Sequence, residues 1–261
     1  MSHERHGGPM SAPGATTTRA GRFSILMWIQ MARLRTSWRP YLIVSSVMPL
    51  GIAVLMRAIM NESQVAEFGE QIVAGSAVLA IAMTAIVMLA QRVSALKENG
   101  ALDYYQTLPV TRTAVVTSVL LSFAVFSLPG TVVVLVLGSA LFDLSLAALW
   151  TAIPVWALGS LALAGIGVAI GFGARDEQLA GMYSNLAMMA VLFLGILPAD
   201  KVPGWMGPVR AILPSTYAVN ALKPGLEGNF TSGQAWDLFA LFLFGVAGFL
   251  AVRGPLWPKS D

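Results

Sequence analysis

Residues 72–90 read IVAGSAVLAIAMTAIVMLA, and no charged side chain interrupts them. Crossing a hydrocarbon core of roughly 30 Å takes about 20 residues of α-helix. This stretch meets that length, and its neighbours on both sides repeat the pattern. The whole chain is 56% hydrophobic and 11% charged, with a mean hydropathy of +0.72. Soluble domains carry about 25% charged residues. A chain this apolar has too few polar groups to cover its own surface, so lipid must be the solvent for much of it.

Five further stretches qualify beside 72–90, giving spans at about 41–60, 72–90, 114–142, 147–172, 179–198 and 235–252. Backbone polar groups in lipid have to be satisfied internally, so six helices follow. A barrel would show alternating segments of about ten residues, and the chain has none. The expected fold is therefore an all-α integral membrane domain over residues 41–253. Residues 1–20 are small and polar and read as a disordered tail, and 254–261 form a second short tail. Between the first tail and the first span, residues 21–40 place Phe23, Met27, Met31, Leu34 and Trp38 at helical spacing, with Arg22, Arg33, Arg35 and Arg39 on other faces. That is an amphipathic helix suited to anionic headgroups, ended by Pro40.

Basic residues set the orientation. An even number of spans puts both termini on one side. With the 91–113 and 173–178 loops, that side collects twelve Lys and Arg, against Lys201, Arg210 and Lys223 on the other. The termini are expected to be cytoplasmic and the chain to be multi-pass in the cell inner (plasma) membrane. The first outer loop, NESQVAEFGEQ, has three glutamates and no basic residue, in agreement. The first apolar run begins after about 40 residues, too deep for a cleavable signal peptide.

Several chemistries are excluded. The net charge of +3 is spread over loops and forms no nucleic-acid footprint. There is no cysteine, and the two histidines, His3 and His6, lie in the tail, so neither an intramembrane Ser–His protease nor an H-E-x-x-H zinc site can form. Asp103, Asp143, Asp176, Asp200 and Asp237 all fall at or outside span ends, with Asp237 in the first turn of the last span, which disfavours a membrane aspartyl protease. Buried charge is the usual mark of an ion-coupled pathway. Only Arg57, near the outer end of the first span, approaches it, and it can snorkel. No polar ring suggests a channel filter.

The polar insert KENGALDYYQTLPVTRT at 97–113 stands out against this background. ALDYYQTL can make two helical turns, with Gly100 near the start and Pro109 at the end. In front of the third span, Glu98, Gly100, Leu102, Leu108, Pro109, Thr111 and Arg112 resemble the coupling segment of type-2 exporter permeases of the ABC transporters. After the fifth span, Gly195, Pro198, Pro203, Pro214 and Tyr217 follow the order usual in that family, and the 21–40 helix resembles its interfacial elbow. The resemblance covers residues 22–252.

It implies a permease that pairs with a second permease subunit, the same or similar, and exports a hydrophobic or amphipathic drug, antibiotic or lipid. Separate cytoplasmic ATPase subunits would hold the ATP and Mg, because this chain has no G-x-x-x-x-G-K-[ST] phosphate loop. Lys97, Glu98, Asn99, Gly100, Leu102, Asp103, Tyr104 and Tyr105 are the expected ATPase contact. Met48, Pro49, Tyr183, Asn185, Met188 and Met189 mix soft side chains with hydrogen-bonding groups, as an adaptable cargo surface would; helix packing accounts for the same residues equally well. Residues 199–234 are too apolar for an exposed loop and too broken by proline to span. They read as a re-entrant outer gate with Pro198, Pro203, Trp205, Pro214 and Tyr217. An interfacial loop anchored by Trp205 and Tyr217 is the other reading. The rival function is a membrane anchor or sensor that recruits a cytoplasmic partner without transport. The Ala-, Gly- and Val-rich composition suggests a high-GC bacterium.

Overall fold

The computed structural model describes residues 39–40, 42–100, 112–145, 149–196, 204–227 and 232–253, and every regular element among them is helical. The elbow helix lies almost entirely outside these residues; of it only Arg39 and Pro40 are described, and both are helical.

Helix α1 spans Leu42–Ile59 and α2 runs from Glu62 to Glu98, 37 residues long. Helix α3 covers Arg112–Leu141, and α4 covers Ala152–Gly173 after a 3₁₀ turn at Leu149–Thr151. Helix α5, Glu177–Ala190, continues as a π-helix over Val191–Ile196. Two shorter helices follow, α6 at Gly207–Ile212 and α7 at Pro214–Glu227, and α8 closes the bundle at Ser232–Arg253. Among the described residues five helices, α1 to α4 and α8, are long and apolar enough to cross a membrane. The expected fifth span at 179–198 coincides with α5 and its π-helical extension, whose last two residues fall outside the described set.

Helix α2 is the axis. Its most apolar window is 89% buried, against 22% for α1 and 11% for α8, so α2 meets protein on all sides while the other two face outward. It begins before the expected span. The acidic stretch read as an outer loop is its first turns, because Asn61 caps them: Gln64 N donates to Asn61 Oδ1 at 3.0 Å, and Asn61 N donates to Gln64 Oε1 at 3.1 Å. This reciprocal pair satisfies two amides that a helix start leaves orphaned. Arg57 adds a bond to Glu62 at 3.1 Å across the α1–α2 turn. The pair is largely exposed and is worth at most about 1 kcal/mol.

Packing around α2 depends on small residues. A Cβ on Gly167 of α4 would stand 2.2 Å from the Ala85 carbonyl oxygen, within the π-helical turn Met83–Met88 of α2. One turn on, a Cβ on Gly171 would stand 2.7 Å from the Ala90 oxygen. On another side of α4, Gly165 and Gly248 of α8 meet backbone to backbone. Lipid gives no hydrophobic push between helices, so such close approach is what holds them. Pro129 sits inside α3 without ending it. The hydroxyls of Ser127 and Thr131 donate to the Ala124 and Ser127 carbonyls on either side of it, at 2.7 and 2.8 Å. Pro154 is the third residue of α4, in a first turn where no amide partner is lost. Asp237 is the sixth residue of α8, past the first turn in which the sequence placed it.

The Gly167 contact yields a stability prediction. Gly167→Ala has to push α4 off α2, and overpacking of this kind costs roughly 1–3 kcal/mol. Gly173→Ala, with nothing within 4 Å of its Cβ position, is the control. Thermal unfolding in detergent should show a lower midpoint for the first and no loss for the second.

Candidate functional site

The last turn of α2 carries the first of the expected coupling residues, and its geometry is intramolecular. Lys97 Nζ donates to the Phe172 carbonyl at 3.0 Å and also to the carbonyl of Ala174. Phe172 is the penultimate residue of α4 and Ala174 its C-cap, so the ammonium sits on carbonyls that the helix end leaves unpaired. Next to it, Glu98 Oε2 accepts from the amide of Glu177, the first residue of α5, at 3.2 Å. Asp176 caps the same helix, accepting from Leu179 N at 2.8 Å. Each charge thus meets the pole of the helix dipole that suits it, Lys97 at the C-terminus of α4 and Glu98 at the N-terminus of α5.

Asn99 and Gly100 form the turn that leaves α2. Asn99 Nδ2 donates to the Ala95 carbonyl at 2.8 Å. Gly100 has φ of +64°, the left-handed conformation that terminates helices and that costs a side-chain-bearing residue strain. The glycine there serves the backbone. Leu102, Asp103, Tyr104 and Tyr105 lie outside the described residues.

Between the ends of α2 and α5 opens a polar hollow of about 840 Å³. Gln91 and Glu98 from α2 face Asp176, Glu177, Gln178 and Asn185 across it. The hollow is therefore acidic and amide-rich, and no basic residue lines it among the described residues. Sequence reading missed this junction. The 173–178 loop entered only as a carrier of Arg175, although Asp176-Glu177 ahead of an apolar run is a helix-start signal.

The residues expected for a cargo surface divide. On α1, Met48 is exposed and Pro49 is buried; on α5, Tyr183, Asn185 and Met189 are exposed, whereas Met188 is 4% exposed and belongs to the core. Helix α5 also exposes Met182, Leu186 and Phe193, so its free face is soft, aromatic and apolar. Helix α1 presents Val44, Val47 and Leu55 beside Met48. Both faces belong to a lipid- or protein-facing surface, and none of these residues is an acid or a base of the Asp, Glu, Lys, Arg or His type.

At the other end of the bundle, α7 packs against α2, α4 and α8, with Ala218, Val219 and Ala221 fully buried. Tyr217 donates from its hydroxyl to the Ala211 carbonyl at 2.8 Å, and its ring lies 5.8 Å from that of Phe244 on α8. Thr216 Oγ1 donates to the Arg210 carbonyl at 2.9 Å, so both residues fasten α6 to the start of α7. Burial of the Arg210 side chain pulls its pKa below the ordinary guanidinium value, because desolvation disfavours the charged form. Pro214 is the buried first residue of α7, where a missing amide proton is harmless. Trp205 lies in the 3₁₀ turn Gly204–Met206, and Pro198 and Pro203 fall outside the described residues.

Comparison with known protein families gives one result: residues 21–226 match the model of the ABC-2 type transporter membrane domain. No curated protein gives a match to the chain.

Gly100 supplies a prediction independent of any partner. Gly100→Ala should cost about 1 kcal/mol through the strained backbone, whereas Gly100→Asn should cost much less, since asparagine tolerates this region. Hydrogen exchange at the amides of residues 95–99 measures it: protection should fall for the alanine variant and stay close to the parent for asparagine.

Proposed function

The chain belongs to the ABC-2 type transporter family and is a multi-pass transmembrane permease component, and from that premise we propose that it is the permease subunit of an ATP-driven exporter. In this reading α5 with its π-helical extension is a sixth span, both termini and the Lys97 end of the bundle are cytoplasmic, and α6 and α7 form a re-entrant outer gate. Separate ATPase subunits, which bind ATP and Mg, dock on the coupling segment beyond the Asn99–Gly100 turn, up to residue 106, with Lys97 and Glu98 held within the chain. A second permease subunit completes the pathway in the inner membrane.

The observation that carries this reading is the contrast between the two parts of the chain. One end of the bundle concentrates polar and acidic groups at the start of the coupling segment. The exposed faces of α1 and α5 are soft and apolar. ATP-driven closure at the first would then reshape a surface suited to a hydrophobic or amphipathic compound, such as a drug, an antibiotic or a lipid. The scarcity of charge within the spans supports the same cargo class, since an ion-coupled carrier needs buried carboxylates.

The test replaces residues 101–106 by a Gly-Ser linker of equal length and purifies the chain from its native membrane in mild detergent. The parent should bring down a stoichiometric ATPase subunit with measurable ATP hydrolysis, and the linker variant should lose both while keeping its thermal midpoint. A parent that purifies alone, without nucleotide hydrolysis, would support the anchor or sensor reading instead.

A further inference from the structure

Lys97 and Glu98 were expected to face a partner, yet each is engaged within the chain by residues more than seventy positions away. The loop between α4 and α5 is only three residues long, Ala174 to Asp176, and the orphaned groups at its two ends are met from α2. Lys97 holds the carbonyl end of α4, and Glu98 holds the amide end of α5. Both bonds are charge-assisted, which makes them roughly twice as strong as neutral ones. They are adjacent in sequence and point to two different helices, so α2 cannot shift along either helix without breaking one of them. Helix α2 is also continuous from Glu62 to Glu98, and its cytoplasmic half packs against both α4 and α5.

We propose that Lys97 and Glu98 are positioning residues that bolt the end of α2 to the α4–α5 junction, so that displacement of the coupling segment is delivered as a rigid-body movement of α5 and its exposed Met182–Phe193 face. The proposal rests on the permease reading above and adds to it a route: the stroke enters at residues 99–106, crosses two charged contacts, and reaches the face suited to cargo. Neither side chain need touch the ATPase. Gly181 of α5, where a Cβ would stand 3.1 Å from Gln91 Nε2 of α2, keeps the two helices in close register further into the bundle.

The chain has no cysteine, so spin labels attach only where cysteines are placed. Asn99 and Met182 are both exposed, one on each side of the bolt. In the Asn99→Cys, Met182→Cys protein, reconstituted in nanodiscs with its co-purified ATPase, pulsed electron spectroscopy reads the label separation with and without ATP and vanadate. The separation should not change on trapping. With Lys97→Met and Glu98→Gln added, it should broaden or shift by more than the roughly 1–2 Å of an ordinary helix adjustment, with the ATPase still bound and hydrolysing. Lys97→Arg, which keeps the charge, should retain the parent behaviour.

A parent separation that changes on trapping, or a double variant that behaves as the parent, overturns the proposal. So does loss of the ATPase from the double variant, which would make the two residues a docking contact. If no ATPase accompanies the parent, the permease reading fails. The nucleotide-free separations of parent and double variant then still decide whether the bolt exists: a difference supports it, and identity removes it.

Discussion

Close backbone approach at glycine is the constraint on which this structure depends. In water, helices are driven together by the apolar surface they hide; in lipid that gain vanishes, and only packing and polar contacts remain. Gly167 and Gly171 place α4 directly over carbonyl oxygens of α2, and Gly165 admits α8 to the opposite side of α4. On the α1 side, Gly130 of α3 receives Ser45 at a distance no side chain would permit. These contacts explain why the most apolar helix, α2, is also the most buried, whereas α8 meets little beyond α4 and α7.

With the axis so fixed, the polar residues fall into two groups at opposite ends. At one end Asn61, Gln64, Arg57 and Glu62 secure the α1–α2 hairpin. At the other, Lys97, Glu98 and Asp176 secure the junction of α2, α4 and α5. In between, polar contacts join uncharged groups, such as Trp156 Nε1 donating to Ser127 Oγ at 2.9 Å between α4 and α3. Charge is thus spent on joining helix ends, and the middle of the bundle is left to packing.

Much of this was legible from residue order, because hydropathy over twenty residues is a strong signal. The run at 72–90 lies inside α2 and 114–142 overlaps α3 up to Leu141, and within 199–234 the described helices α6 and α7 are too short to span, as the prolines there suggested. What escaped reading has physical reasons. NESQVAEFGEQ looks like a loop because its charge is high, but a capping box at Asn61 outweighs composition and starts the helix there. A glycine in an apolar run reads the same whether it faces lipid or a neighbouring carbonyl, so Gly167 could not be told from Gly173. Lys97 and Glu98 were recognised as special for their charge, but their partners lie on the α4–α5 loop, and no local pattern reports a contact across that separation. Met188 and Pro49 are buried, in keeping with the helix-packing reading that the sequence set beside the cargo surface.

The Gly165–Gly248 contact has a consequence for how the chain is made. α4 (Ala152–Gly173) precedes α8 (Ser232–Arg253) in the chain, so the notch at Gly165 is made before the helix that fills it. α8 then seats on a surface that α4 and α7 have already shaped, with Gln234 Nε2 donating to the Ala221 carbonyl at 2.8 Å. Biogenesis of the bundle is therefore ordered: an early hairpin sealed at Asn61, a core assembled around α2, and a late lid whose placement reports that everything before it has folded.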